Sequence, residues 1–198
     1  MKITIVNGSQ RKTSESERVS IFIKSKLNLL TMGELDTYIL NLADEELEYW
    51  SEDNKDNTTW NKISQELRDS DGFIFVVPEW HGMVPPKMKN LFMFAGNPEF
   101  AHKPCLLVSI SSTMNGVYPI VELRAASSKN NHLVYIPNHL IIRDVNNQFN
   151  RNTNNDMKVS KIEVRLEYSL TVLMEYCLAL LTVRESPICS PQRFIYGM

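Results

Sequence analysis

Residues 71–78 read DGFIFVVP, and the five consecutive apolar side chains from Phe73 to Val77 leave no polar face. A strand turns successive side chains to opposite faces of its sheet. An unbroken apolar run must therefore be covered on both sides, as in the centre of a parallel sheet. Residues 3–6 (ITIV) and 105–110 (CLLVSI) have the same character, and residues 35–40 and a stretch near 133–136 read as further strands. Helical spacing fills the intervals. Residues 15–30 place Val19, Phe22, Ile23, Leu27 and Leu30 on one stripe. Further helices are predicted over 58–70, from Pro85 and Pro86 through 94, over 117–129 and over about 158–184, while the Asn-rich residues 146–155 read as a loop. Strand and helix in alternation predict an α/β fold, a five-stranded parallel sheet with helices on both faces. A length of 198 residues without internal repeats suits a single domain over 1–198.

Right-handed crossovers leave two main strand orders for such a chain. A dinucleotide-binding sheet needs G-x-G-x-x-G after its first strand, and Gly8 stands alone there. The flavodoxin-like order 2-1-3-4-5 is therefore expected. Its ligand crevice lies outside the carboxyl ends of strands 1, 3 and 4.

Charge and composition narrow the partners. A net charge of −2 gives no electrostatic footprint for nucleic acid. Cys105, Cys177 and Cys189 are widely spaced, as reduced thiols of a cytoplasmic protein would be. The chain enters strand-like sequence at Lys2, leaving no room for a signal peptide. The apolar stretch 164–183 carries Arg165, Glu167 and Glu175, which argues for a buried or dimer-facing helix over a membrane span. The four histidines show no metal-ligand spacing, so no metal is expected.

Each of the three loops has a chemical and a structural reading. After strand 1 comes NGSQRKTSES, where Ser9, Arg11, Ser14, Glu15 and Ser16 meet the start of a helix. Helix-terminal N–H groups, hydroxyls and a guanidinium together suit an anion. Ser14 followed by Glu17 equally fits a capping box. After strand 3 comes PEWHGMVPPKMKN, where the backbone of residues 78–83 could meet the edge of a flat heterocycle between Trp80 and Met83. His81 alone reads better as a solvated side chain than as a catalytic one. After strand 4 comes SSTMNGVYP, where Ser111, Ser112, Asn115 and Gly116 permit close backbone approach or simply cap a helix.

Taken together, these motifs resemble the NADPH-dependent FMN reductase family of flavin-bound quinone, chromate and azo reductases. Its Gly-Ser-x-Arg-x-x-Ser loop is matched by Gly8, Ser9, Arg11 and Ser14. Its Pro-Glu-Tyr-Asn-x-x-x-Pro-x-x-Leu-Lys-Asn stretch is matched by Pro78, Glu79, Pro85, Lys89 and Asn90, with Trp80, His81 and Met88 at the Tyr, Asn and Leu positions. The chain departs from the family at Met93 and Phe94, where Asp-Trp is common, and at Asn115, where paired glycines are common.

The resemblance implies an FMN-dependent NAD(P)H oxidoreductase passing hydride from NADPH or NADH through FMN to a quinone, free flavin or similar small acceptor. It implies FMN phosphate on Ser9, Arg11, Ser14, Ser16 and the backbone near Glu15. The flavin ring would lie against Pro78, Glu79, Trp80, His81, Gly82 and Met83, with Ser111, Ser112, Asn115 and Gly116 across from them. With the chemistry centred on the flavin, no catalytic side chain is required. A homodimer or homotetramer follows as well, supported by the consecutive Leu91, Phe92, Met93 and Phe94, which one sheet face cannot all bury. The alternative is a non-enzymatic flavin carrier or a partner-binding regulatory module. A carrier would bring a strongly acidic docking face and a Thr-rich first loop, and neither is evident.

Overall fold

The computed structural model describes residues 1–149 and 160–189. Five strands, β1 (Lys2–Asn7), β2 (Asp36–Asn41), β3 (Gly72–Pro78), β4 (Pro104–Ile110) and β5 (Val134–Ile142), form one sheet in the order 2-1-3-4-5, every pair parallel. The helices are α1 (Glu15–Leu30), α2 (Thr58–Arg68), α3 (Pro86–Phe94), α4 (Asn97–Phe100), α5 (Tyr118–Ala126), α6 (Lys161–Ala179) and α7 (Leu181–Glu185).

The apolar run of β3 is divided between two cores. Ile74 and Val76 face α1 and α6, meeting Val19, Ile23, Leu27, Leu166, Leu170 and Leu173. Phe73, Phe75 and Val77 face the other way, onto Trp60, Ile63 and Leu67 of α2, Met88 and Leu91 of α3 and Phe100 of α4. Both layers are buried, which is why the strand carries no polar alternation. By length and composition Lys161–Glu185 could cross a bilayer. One face of it is nevertheless fixed to the sheet, and Lys26 of α1 pairs with its Glu163 and Glu167.

Three departures from the sequence reading have physical causes. Strand β5 continues to Ile142 instead of ending near 136; Pro137 interrupts its pattern, and the ladder shifts register against β4 between Cys105 and Leu107. An edge strand tolerates such a proline because it has a partner on one side only. The short α4 follows Gly96, where Glu99 caps the backbone N–H. The closing helix breaks at Leu180 into α6 and α7. Positions 158–159 of that predicted helix and 150–155 of the predicted Asn-rich loop lie outside the described residues.

The four consecutive residues of α3 are mostly accommodated within the chain. Leu91 is buried, Phe92 packs edge-on to Phe75 at 5.7 Å, and Phe94 lies 5.1 Å from Trp60. Met93 alone of the four is exposed. At the opposite, amino-terminal edge of the sheet, the buried Lys103 donates to the carbonyls of Leu67 and Arg68 at the end of α2. Burial, aided by the nearby Arg184 guanidinium, brings the Lys103 ammonium down to about 8.

Candidate functional site

The loop after β1 is wound by its own side chains. Gly8 N–H donates to Val76 O, and a Cβ at this position would lie 3.3 Å from both that oxygen and Met88 Sδ. Ser9 donates its N–H to Asn7 Oδ1, and its Oγ accepts from Arg11 N–H. Ser14 is the N-cap of α1 and accepts from Glu17 N–H at 3.2 Å, so the capping alternative is realised there. Ser16, two residues into the helix, is 1% exposed, and its Oγ has no hydrogen-bond partner. The first-turn N–H groups of a helix have no acceptor within the helix. An orphaned hydroxyl beside them adds a donor of the kind that can meet an anion.

The loop after β3 is a tight reverse turn. Trp80 and Met83 exchange both backbone hydrogen bonds, and the two residues between them, His81 and Gly82, have φ of 49° and 70°. A two-residue turn with both central φ values positive is the kind that favours Asn-Gly. This gives a reason for Asn at the His81 position of the resembled motif. The Arg11 guanidinium stacks on the Trp80 ring, 4.8 Å from its centroid. Glu79 reaches across to the third loop, where its Oε2 accepts from Gly116 N–H at 2.9 Å and Tyr118 N–H at 3.2 Å. In the opposite direction, Glu122 of α5 accepts from Val84 N–H and pairs with Lys89. Burial pushes the Glu122 carboxyl up, but the bonds from Lys89 and Val84 outweigh it and hold it below the ordinary range.

Among residues 111–116, Ser111 Oγ accepts from Thr113 N–H, and Asn115 O accepts from Arg143. Gly116 has φ of 106°, and a Cβ there would meet Ile141 at 2.7 Å. It is glycine because the chain must turn tightly against β5.

These loops enclose a cleft of about 930 Å³ at the carboxyl edge of the sheet. Of the residues singled out from sequence, Ser9, Arg11, Ser14, Glu15 and Ser16 line it from the first loop. Pro78, Glu79, Trp80 and His81 line it from the second, and Ser111 and Ser112 from the third. Met83 instead lines an adjoining cavity of about 540 Å³, which shares Trp80 and His81 with the cleft. Gly82, Asn115 and Gly116 line neither and shape the backbone around them.

The sequence reading missed Arg18, Val145 and Asn146, which also line the cleft. Arg18 pairs with Glu15 and donates to the carbonyls of Val145 and Gln148, tying α1 to the loop after β5. That loop also leaves the carboxyl edge of the sheet, so the topology offered the signal. The crevice rule, by contrast, points to the loops after strands 1, 3 and 4.

Comparison with known proteins gives a consistent result. The family described as NADPH-dependent FMN reductase is matched over residues 1–147. An NADPH azoreductase of Bacillus sp. (strain OY1-2) is 26% identical over 144 residues, covering 72% of this chain and 76% of the relative. A quinone reductase of Pseudomonas putida is 30% identical over 116 residues, covering 55% of this chain and 59% of the relative, so the match spans about three-fifths of that protein. In fold, the chain superposes on the apo form of an NADH:FMN oxidoreductase with a TM-score of 0.66 at 13% identity, covering 95% of this chain and 92% of that one.

Proposed function

The chain belongs to the NADPH-dependent FMN reductase family and is an FMN-dependent NAD(P)H oxidoreductase, and from that premise we propose that its acceptor is a planar quinone-type molecule reduced at the mouth of the 930 Å³ cleft. When bound, FMN supplies two-electron chemistry, so that NADPH and one proton convert a quinone into its hydroquinone and NADP⁺. The protein's task is to bind, orient and exclude water.

The orphaned Ser16 hydroxyl at the start of α1 carries the assignment of the phosphate end. Ser9, Arg11, Ser14 and Ser16 hold the phosphate with the first-turn N–H groups of α1; Ser9 and Ser14 each accept one backbone N–H and keep a hydroxyl proton to donate, while the Glu15 carboxylate is occupied by Arg18. Ser111 is spent on the fold, its hydroxyl on Thr113 N–H and its backbone on Ile142 and Val145, so it shapes the wall beside Ser112. Pro78, Trp80 and His81 flank the ring. Glu79 and Gly116 fix the distance between the second and third loops, and Gly82 permits the turn. A volume near the upper end of the range of about 300–1,000 Å³ for small-molecule sites leaves room beside FMN.

The azo- and quinone-reducing relatives support the acceptor class. Residues 1–198 work as one domain in the cytoplasm, without membrane or nucleic-acid partners. The exposed Tyr118 and Val121 of α5 seat a second subunit in a homodimer or a dimer of dimers. Anaerobic addition of NADPH to the FMN-loaded protein should bleach the flavin, and a quinone should restore the colour. A flavin that stays oxidised with both nicotinamides would refute this function. Monomers by light scattering at micromolar concentration would refute the assembly.

A further inference from the structure

The connection between β2 and α2 forms neither helix nor strand over residues 42–57, yet it is firmly attached. Lys87 of α3 donates to the carbonyls of Leu42 and Glu45. Asn90, one turn on and 6% exposed, spends both ends of its amide on the same segment. Its Nδ2 donates to Glu48 O at 2.8 Å, and its Oδ1 accepts from Trp50 N–H at 2.9 Å. Asn54 then closes the far side, accepting from Ser51 N–H and donating to Tyr49 O. The backbone of Trp50 is pinned on both flanks.

The cavity of about 540 Å³ shows what this fastening positions. Trp50 lines it together with Trp80, Met83 and Met93. Two of its polar neighbours are engaged elsewhere, Asn90 by the connection and Lys89 by Glu122, while Gln10 and His81 border it as well. Most of the surface toward the cavity is aromatic, thioether and aliphatic, which recognises flat apolar rings chiefly by contact area and stacking. Because Trp80 and His81 belong to both cavities, a ring held here borders the flavin cleft.

We propose that Trp50 is a specificity-determining residue, the second aromatic wall of the acceptor position, and that it selects fused two-ring acceptors over single-ring ones. Asn90 is its positioning residue. The inference rests on the quinone-type reading of the acceptor given above.

The test compares a naphthoquinone with a benzoquinone as acceptors for the FMN-loaded protein at saturating NADPH. Trp50→Ala should lower kcat/KM for the naphthoquinone about tenfold, the scale of one lost aromatic contact and its buried area. The benzoquinone value should change less than twofold. Trp50→Phe should restore the preference, and Asn90→Ala should shift it in the same direction as Trp50→Ala. FMN affinity measured by fluorescence quenching should be unaltered by Trp50→Ala. Equal losses for both quinones, or no loss for either, would overturn the role of Trp50. A wild-type protein that bleaches with NADPH but reduces no quinone would overturn the acceptor reading itself, and the proposal with it.

Discussion

Ser16 and Ser14 lie two residues apart on one helix, and their substitution should have opposite effects. Ser16 Oγ is buried without a partner. Leaving a hydroxyl in that condition costs roughly 1–3 kcal/mol, so Ser16→Ala should stabilise the flavin-free protein. A gain of about 1 kcal/mol would raise Tm by about 2–4 °C for a chain of this size. The same change removes a bond to a doubly charged phosphate, worth roughly 1.5–3 kcal/mol, which weakens FMN binding about 10- to 100-fold. Riboflavin, which lacks the phosphate, should bind as it does to wild type. Ser14 accepts from Glu17 N–H as the N-cap. Ser14→Ala should therefore lower the flavin-free Tm by about 2–4 °C, the effect of losing about 1 kcal/mol of capping. Differential scanning calorimetry of the apoproteins and titration calorimetry with FMN and riboflavin measure all of these quantities. The reasoning is wrong if Ser16→Ala binds FMN as tightly as wild type, if it loses FMN and riboflavin equally, or if its flavin-free Tm falls.

Three further outcomes are expected. Arg11→Ala should weaken FMN about 10- to 100-fold while sparing riboflavin, by loss of a charge-assisted bond; Arg11→Lys should recover part of this, and equal losses for both flavins in a titration would assign Arg11 to its stack on Trp80 alone. His81, with φ of 49°, should accept Asn without loss of Tm, whereas His81→Val should cost roughly 1–2 kcal/mol by denaturant titration because a β-branched residue is strained there. Lys103 titrates at about 8 in the folded chain against an ordinary 10.5, so between these values the unfolded chain binds more protons and stability rises with pH, by up to about 3 kcal/mol. The readout is the difference between wild type and Lys103→Met from pH 7 to 10.5, which cancels the opposing loss above pH 9 from Cys105 and Cys177, whose thiols burial pushes up. A difference that does not vary with pH would refute the assignment.

The strand order was legible because two features decide it: a single Gly8 after β1 cannot form the dinucleotide turn, and the apolar run of β3 requires cover on both faces. The cleft walls contributed by the first two loops were legible because short motifs fix local backbone. What was hidden depends on distant partners. That Ser14 serves as a cap while Ser16 is left unpaired follows from packing, and the two serines look alike in sequence. Lys87 and Asn90 follow the residues 78–83 expected to flank the flavin, in a helix beginning at Pro85-Pro86, and they fasten residues 42–50, some forty positions earlier. Asn115 and Gly116 line neither cavity; Gly116 takes the Glu79 bond and turns against Ile141. Strand β5 was read short because Pro137 breaks the pattern that an edge strand does not need to keep.

The Arg18 tie has a bearing on how the protein is made. Its carbonyl partners lie 127 and 130 residues further along the chain. The serine-rich start of α1 leaves the ribosome early, but the wall that completes its cradle is synthesised only after β5. The cleft is thus complete only late in biosynthesis, and nascent chains stalled before residue 142 should remain colourless in the presence of FMN.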